Sequence, residues 1–287
     1  MNNHVVGLLL NYRDAKRSVR CAQSLCDEGV EHVVVWDNSG DGDVSAAEIY
    51  ELAGDKSWLD LQVSQINLGF SAGVNRALQH CARHYPGCWI LLINNDAYLV
   101  SGALRKLVRA LEMASSAELA LPAINHSGRV LGMAYYHRLT GFLTWTPRRG
   151  CFAYGSGCCL LIATDRIDTP LFDEDFFMYG EDWALGWHLH QRGGAMVFVD
   201  ETLVIHEGAA SSGLGSMFYE TQMVAAHLIL VRKLASSTGE RMLLYFARAV
   251  MLGARALIRA VRFRSSVPLS ALLRGWQGAA RTNSNSR

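Results

Sequence analysis

The sequence predicts an α/β fold, a mostly parallel sheet flanked by helices, and three observations carry that expectation. Short apolar runs alternate with stretches of helical periodicity through the first half of the chain, the pattern of βαβ units joined by right-handed crossovers. A chain of 287 residues that is 50% hydrophobic can bury a substantial core. Four of the apolar runs stop at polar clusters, each at its carboxyl end, and the crevice beyond such ends is where open α/β sheets bind ligands.

HVVGLLLNY reads as a buried strand, and residues 14 to 28 follow as a helix because Ala15, Val19, Ala22 and Cys26 repeat at helical spacing. HVVVWDN is the second strand and residues 43 to 54 a short helix. LDLQVSQI is the third strand, SAGVNRALQHCARHY a helix, WILLINND the fourth strand and SGALRKLVRALEMA a helix. Beyond LALPAI the texture changes to antiparallel strands, RVLGMAYYH and FAYGSGCCLLIA. The acidic segment FDEDFFMYGED then leads into the helix WALGWHLHQRGG, which Gly193-Gly194 ends. A last strand, AMVFVDETLVIH, precedes a helical C-terminus whose polar end, RTNSNSR, reads as frayed.

The formal charge of +1 hides an asymmetry. From Arg232 onward there are 11 Lys/Arg and a single acid, Glu240, so that tail carries +10 and the 231 residues before it carry −9. An acidic body with a basic tail implies two jobs, the tail meeting something anionic. Seven cysteines are scattered with no CxxC pair and no histidine at zinc-finger spacing. They argue against a disulfide framework or thiolate zinc site and read as small buried hydrophobes in a reducing cytoplasm. The start, MNNHVVGLLLNYRD, lacks the basic segment of a signal peptide, and no uncharged apolar run reaches the ~18 residues of a spanning helix. The expectation is a cytoplasmic protein, free or peripheral on the inner face of the cell membrane.

Asn11-Tyr12, Asp37-Asn38, Asn67-Leu68-Gly69 and Asn94-Asn95-Asp96 close the four strands. Any one of them is an ordinary turn signal; four on one edge point to a site. In chain order the sequence carries NY, VVWDNSGD, NLGFSAGVNRAL, LLINNDA, FFMYGEDWAL and VIHEGAAS. That series, over residues 4 to 212, resembles the inverting family 2 glycosyltransferases of GT-A fold, and within them the bacterial rhamnosyltransferase-type enzymes that build surface polysaccharides. The resemblance implies a GT-A catalytic domain over residues 1–215, a helical basic extension over 216–280 and a disordered tail over 281–287. It also implies a nucleoside-diphosphate sugar as donor (dTDP-rhamnose the expected one), Mg2+ or Mn2+ as cofactor, and a saccharide or lipid-linked saccharide as acceptor.

Such a transfer needs the departing pyrophosphate neutralised, which a hard divalent cation held by carboxylate oxygen does. Asn94-Asn95-Asp96 stands where the family has its DxD-type motif, with only the last acid present. Asp96 is therefore the expected metal ligand; a turn or N-cap aspartate is the plainer alternative. His206, with Ser211 five residues on, matches the family's H-x-x-x-x-S and is expected to join the metal or a phosphate. The loop 207 to 216 is expected to close over the donor. Asp37 offers a carboxylate to a pyrimidine's imide N–H and Tyr12 a ring to stack on it, worth about 1–3 kcal/mol; a strand-ending turn is the alternative. NLGFSAGVNRAL opens a helix whose backbone amides suit a phosphate or sugar hydroxyls. Gly69, Gly73 and Asn75 match the family pattern there, and Arg76 is expected to face the diphosphate. Asn11, Asn67 and Asn95 complete the donor side.

An inverting transfer also needs a base to take the acceptor hydroxyl's proton. Asp182 is the candidate: apolar surroundings raise its pKa, while its place at a helix N-terminus opposes that rise. Asp175, Glu181 and Trp183 are expected on the acceptor side. Ala184 and His188 stand where the family usually has an acid and a basic residue, and Pro170-Leu171 replaces a common glycine pair. These departures bear on the acceptor more than on the chemistry.

In the tail, Arg241, Arg248, Arg255, Arg259 and Arg262 fall on one stripe of a helix, opposite Leu, Phe, Val, Met and Ile. A basic amphipathic helix over residues 241–264 suits an anionic membrane surface; the alternative is an apolar face packed on the catalytic domain or on a second copy. Nucleic acid is disfavoured by the acidic body. Two rival functions stand beside sugar transfer. A nucleotidyltransferase would carry a glycine-rich phosphate loop, which NYRDAKRS lacks, and a non-catalytic sugar-nucleotide binder or membrane scaffold would keep the fold alone.

Overall fold

The computed structural model describes residues 4–54, 56–208 and 213–285. The first half alternates as the periodicity predicts: β1 (Val5–Asn11), α1 (Ala15–Asp27), β2 (Val33–Asp37), α2 (Val44–Leu52), β3 (Leu59–Val63), α3 (Gly69–His84), β4 (Trp89–Ile93). Then come β5 (Ala97–Leu99), α4 (Ala103–Met113), β6 (Ala117–His126), β7 (Arg129–Leu131), β8 (Ala134–His137), β9 (Leu143–Thr144), β10 (Cys151–Tyr154) and β11 (Cys159–Ile162). The chain ends with α5 (Glu181–Arg192), β12 (Ala195–His206), α6 (Met217–Leu234), α7 (Thr238–Phe263) and α8 (Val267–Asn285).

Among the described residues the strands form a nine-stranded sheet of order β3-β2-β1-β4-β11-β6-β12-β5, with β7 paired to β6, and a separate antiparallel sheet β10-β8-β9. β3, β2, β1 and β4 are parallel, and β12 is parallel to β6, whereas β11, β5 and β7 run against their neighbours. The sheet is thus mixed, its first half parallel. Strand order reverses between β1 and β4, the switch point of an open α/β sheet.

Strands of the parallel half are apolar on both faces because both are covered. Leu9, Val33, Val35, Leu91 and Ile93 pack with α1, α2 and α4, while Val6, Leu8, Val34, Ile90 and Leu92 pack with α3 and α5. Each such side chain removed from water contributes about 1.5–3 kcal/mol. Side-chain caps set the helix starts: Asp14 accepts from the Arg17 N–H, Ser216 from Tyr219 and Ser237 from Glu240. Gly193, at φ 69°, ends α5 as the glycine pair predicted. All seven cysteines are free thiols, as expected, and Cys21, Cys81, Cys158 and Cys159 are buried.

Three expectations are corrected. FAYGSGCCLLIA is not one strand: Gly155-Ser156-Gly157 breaks it into β10 and β11, which lie in different sheets. RVLGMAYYH likewise divides at Gly132-Met133 into β7 and β8, again in different sheets. α8 is described to Asn285; residues 286 and 287 lie outside the described residues.

The arginine stripe of α7 exists, but its middle three members, Arg248, Arg255 and Arg259, face inward while Arg241 and Arg262 stay exposed, the third correction. Arg248 is fully buried; it donates to the carbonyls of Leu139 and Arg138 and stacks over Tyr136. Arg255 and Arg259 both donate to Glu220 of α6, whose side chain is itself fully buried. Three cations are therefore spent on protein partners, and the second core, built from Tyr136, Phe152, Phe176 and Trp183 with α6, α7 and α8, closes around them.

Candidate active site

The polar ends of the four strands meet on one edge and are tied together by side chains. Asn95 donates to the Ser18 hydroxyl (3.0 Å), Ser18 donates to Asn11 Oδ1 (2.7 Å), and Asn11 donates to Asp37 Oδ1 (2.9 Å). Asn38 continues the chain to Asn67 Oδ1 (3.1 Å) and the Gly69 carbonyl (2.9 Å). Local sequence explains this: β1, β2 and β4 are apolar to their last residue, so the first polar side chain emerges at the rim and bonds to its neighbour strand.

Asp37 is fully buried and its Oδ1 also accepts from the Ser39 N–H (3.2 Å), whereas its Oδ2 is buried with no protein partner. A buried acceptor without a donor is costly, on the order of 1–3 kcal/mol. Tyr12 at the same edge is 41% exposed, with Arg13 over its ring. Asn11, by contrast, is fully buried and its amide is occupied with Asp37 and Ser18, so it holds Asp37 in place. Asn67 accepts from Asn38 and from the Gly69 N–H, and Asn95 is occupied by Ser18.

At the start of α3, Gly69 takes φ +81° and lies against Phe177; a Cβ there would collide with the Phe177 carbonyl. The Phe70 N–H donates to that same carbonyl at 2.7 Å. Asn75 is buried and braces Phe172 from both sides, donating to its carbonyl (2.7 Å) and accepting from its N–H (3.0 Å). These contacts clamp the acidic segment to the donor edge. Arg76 is exposed and bonded to Gln79 one turn on. The side-chain amide of Asn75 and the backbone amide of Phe70 therefore serve the clamp, the Gly69 N–H is taken by Asn67, and the guanidinium of Arg76 is directed along α3.

Asp96 and His206 are brought into direct contact, Oδ1 to Nε2 at 3.0 Å, with only 14% and 15% of their side chains exposed. The pairing of β12 with β5 sets this, because Ala97 lies opposite His206. Burial alone would raise the Asp96 carboxyl; the hydrogen bond and charge of His206, with Arg17 nearby, outweigh it and hold the group below the ordinary carboxylate range. His126, at the end of β6, stands opposite His206 in register and meets it ring nitrogen to ring nitrogen, Nδ1 to Nδ1 at 2.9 Å. Sequence reasoning missed His126, although its signal, a polar pair closing the apolar run of β6, is the one that marked the other strands. Glu207 ties the following segment to Arg17 and Arg20 of α1. Ser211 and residues 209–212 of the expected lid lie outside the described residues.

Asp182 sits in the first turn of α5, whose N-cap is Gly180 at φ 89°. Its Oδ1 accepts from the Trp183 N–H at 2.8 Å. Burial dominates over that helix-start hydrogen bond, so the carboxyl is raised well above its ordinary value. Glu181 beside it is raised too, by burial and by the charge of Asp182, and its Oε2 is buried without a protein partner. Tyr154, at the end of β10, feels the charge of Asp182, and four residues on the Cys158 carbonyl accepts from the Asn94 N–H at 2.8 Å. Four extended residues span at most ~14 Å, so the segment 154–158 joins the neighbourhood of Asp182 to that of Asp96.

Trp183, expected on the acceptor side, is turned inward. It is 4% exposed and packed among Tyr136, Tyr154 and His227, because the third residue of the helix faces the core that α6 completes. Asp173 and Asp175 are each bonded to Lys233 of α6 at 2.7 Å. A cavity of about 160 Å³ opens beside them, lined by Asp175, Phe177, Tyr179, Gln222 and Ala226 among others.

Over residues 10–156, just over half its length, the sequence matches the family described as glycosyl transferase family 2. The chain belongs to that family. No curated protein matches the sequence. Solved structures resemble it in fold. GalNAc-T7 with UDP, GalNAc and Mn2+ superposes with a TM-score of 0.62 at 12% identity, over 79% of this chain and 48% of that one. This family 2 chain thus spans about half the length of GalNAc-T7. The mannosyltransferase PcManGT from Pyrobaculum calidifontis, in complex with GDP-Man and Mn2+, gives 0.58 at 13% identity, over 99% and 87%. S. aureus TarS 1-349 with UDP-GlcNAc gives 0.57 at 15% identity, over 86% and 71%. At these identities the likeness is one of fold, the GT-A glycosyltransferase fold that the sequence predicted.

Proposed function

We propose that this family 2 member is a metal-dependent inverting glycosyltransferase. It moves a sugar from a nucleoside-diphosphate donor, dTDP-rhamnose as first choice, to a saccharide or lipid-linked saccharide acceptor in surface polysaccharide synthesis. The observation that supports this reading is that Asp37, buried with one oxygen free, and Asp96, paired to His206, stand at the carboxyl ends of β2 and β4 and are linked through Asn11, Ser18 and Asn95, while Asp182, raised by burial, opens α5. Nucleotide-sugar transfer needs those three properties together.

Asp37 Oδ2 accepts the imide N–H of the base while Tyr12 stacks on its face. Asp96 and His206 fit a divalent cation, one offering carboxylate oxygen and the other imidazole nitrogen. Among the described residues no group of three or more acidic, histidine or cysteine side chains is arranged to hold a metal, so further ligands come from donor phosphates and water. When bound, Mg2+ or Mn2+ neutralises charge on the departing diphosphate. The Mn2+ bound by GalNAc-T7 and PcManGT supports that choice. Asp182 takes the proton of the acceptor hydroxyl as its oxygen attacks the anomeric carbon. The bond from that carbon to the diphosphate oxygen breaks on the opposite face, inverting the centre. Glu181, Asp175 and the cavity beside Asp175 form the acceptor side.

A panel of nucleotide sugars with Mg2+ or Mn2+, scored by thermal shift and by slow donor hydrolysis, tests the reading. The expected result is stabilisation by one donor, abolished by a chelator. If no donor raises the melting temperature, sugar transfer is the wrong chemistry.

A further inference from the structure

The inward turn of its middle arginines leaves α7 with its apolar side in water. Met242, Leu243, Phe246, Val250, Leu257, Ile258 and Val261 are each between 56% and 79% exposed. They fall on one side of the helix at spacings of one, three, four, seven, one and three residues, with Ala249, Gly253 and Ala254 between them. From Met242 to Val261 the stripe runs ~29 Å along the axis. α8 adds Leu269, Leu273 and Trp276, all exposed, and the Trp276 ring meets Tyr245 of α7. Contiguous apolar surface of this extent marks an interaction site rather than ordinary surface.

The rim of the stripe names the partner. Arg241 at the start of α7, Arg262 and Arg264 at its end, and Arg274 on α8 are exposed. From Arg232 onward the single acid is Glu240, and it is engaged with Arg138 and Ser236. Apolar surface framed by cations complements an anionic lipid surface, where the stripe enters the acyl boundary and arginines meet headgroups. A second copy brings an identical face, so these arginines would meet arginines, a repulsive arrangement. No helix among the described residues is long and apolar enough to cross a membrane, so the helix lies on the surface. Its C-terminal end is close to the site: Phe263 packs against Gly215, just ahead of α6, and Phe218 of α6 meets Phe177 of the acidic segment.

We propose that α7 docks in the plane of an anionic membrane, its apolar stripe inserted and Arg241, Arg262, Arg264 and Arg274 at headgroup level. The docking stands on α7 and α8; only its use, presenting a lipid-linked acceptor, rests on the proposed activity.

Co-sedimentation of the full chain with vesicles tests it. One set is phosphatidylcholine alone, the other equal parts of phosphatidylcholine and phosphatidylglycerol. The expected result is at least tenfold more protein pelleted with the anionic vesicles. The double variant Phe246→Glu, Ile258→Glu changes only exposed side chains and is expected to stay in the supernatant with the wild-type melting temperature. Arg262→Glu with Arg264→Glu is expected to lose the preference for anionic vesicles. Wild type that stays in the supernatant overturns the proposal, as does a double variant that pellets like wild type. Wild type that ignores vesicles but forms a dimer lost in the double variant assigns the stripe to a second copy instead. Donor thermal shift, measured on the same samples, reports the catalytic reading separately.

Discussion

The donor edge and helix α7 make an instructive pair. Both were marked in the sequence by where polar residues fall, four strand ends in one case and an arginine stripe in the other. At the donor edge the polar residues stay at the rim, and the network Asn95–Ser18–Asn11–Asp37 runs along it. On α7 the middle of the polar stripe turns inward to Glu220 and to the carbonyls of Leu139 and Arg138, and the apolar side is left in water. A strand end has one exit, so polarity there says where the side chain goes. A helix stripe has two possible outsides, and what lies opposite decides between them. Here a buried carboxylate on α6 outweighs the usual apolar-inward rule, since an unpaired Glu220 inside the protein would be far costlier than exposed leucines.

The sharpest way to break the donor-edge half of this comparison is Asp182→Asn. Transfer should fall by about 10²–10⁴-fold, the range of a lost general base, while donor thermal shift is retained; loss of both in parallel would make Asp182 structural. The pH dependence adds a sign. Folding raises the Asp182 and Glu181 carboxyls above their unfolded values, so the stability these two contribute is fully present below the unfolded carboxylate range and is lost as pH climbs through the raised folded values. Transfer needs the ionised base and should run the other way, rising with pH across that window. Melting curves and rate profiles against pH check it, with Asp182→Asn flattening the rate profile and reducing the pH slope of stability, the part from buried Glu181 remaining.

For the tail half, Glu220→Gln removes the partner of two arginines that are each about four-fifths buried. It should cost on the order of 3–5 kcal/mol in chemical denaturation; a loss under about 1 kcal/mol, the value of a surface pair, would mean the arginines are not held by Glu220. His126→Phe sharpens the donor edge more finely. A ring supporting a metal-binding histidine typically alters metal affinity by about 10–100-fold, read as the shift in Mn2+ dependence of donor binding. Smallest is Phe246→Glu alone, expected within about 0.5 kcal/mol of wild-type stability, because its ring is already 70% exposed.

Much of the fold was legible in the chain. β1 to β4 and α1 to α4 lie within three residues of their expected ends because each satisfies its own periodicity, and Gly193 stopped α5 as a glycine at positive φ should. The second half was harder. β5 is three residues long, too short to carry a period, yet it sets Asp96 against His206. β10 and β11 share one apolar run, and only their partners in separate sheets distinguish them. Among candidate site residues, Asp37, Asp96 and His206 were marked by position. The contacts of Asn75 and Trp183 could not be read in the chain because their partners, Phe172 in one case and Tyr136 with His227 in the other, lie 44 to 97 residues away in sequence.

By itself, the sequence determined the run of strands and helices, the polar rim of the sheet and the segregation of arginines from apolar residues along α7, since each follows from contacts within a few residues. Only the tertiary structure decided which aspartate oxygen stayed free, which histidine met Asp96, and which side of α7 faced out. Those depend on groups far apart in the chain, whose burial and pairing exist only once the sheets and helices have closed on one another.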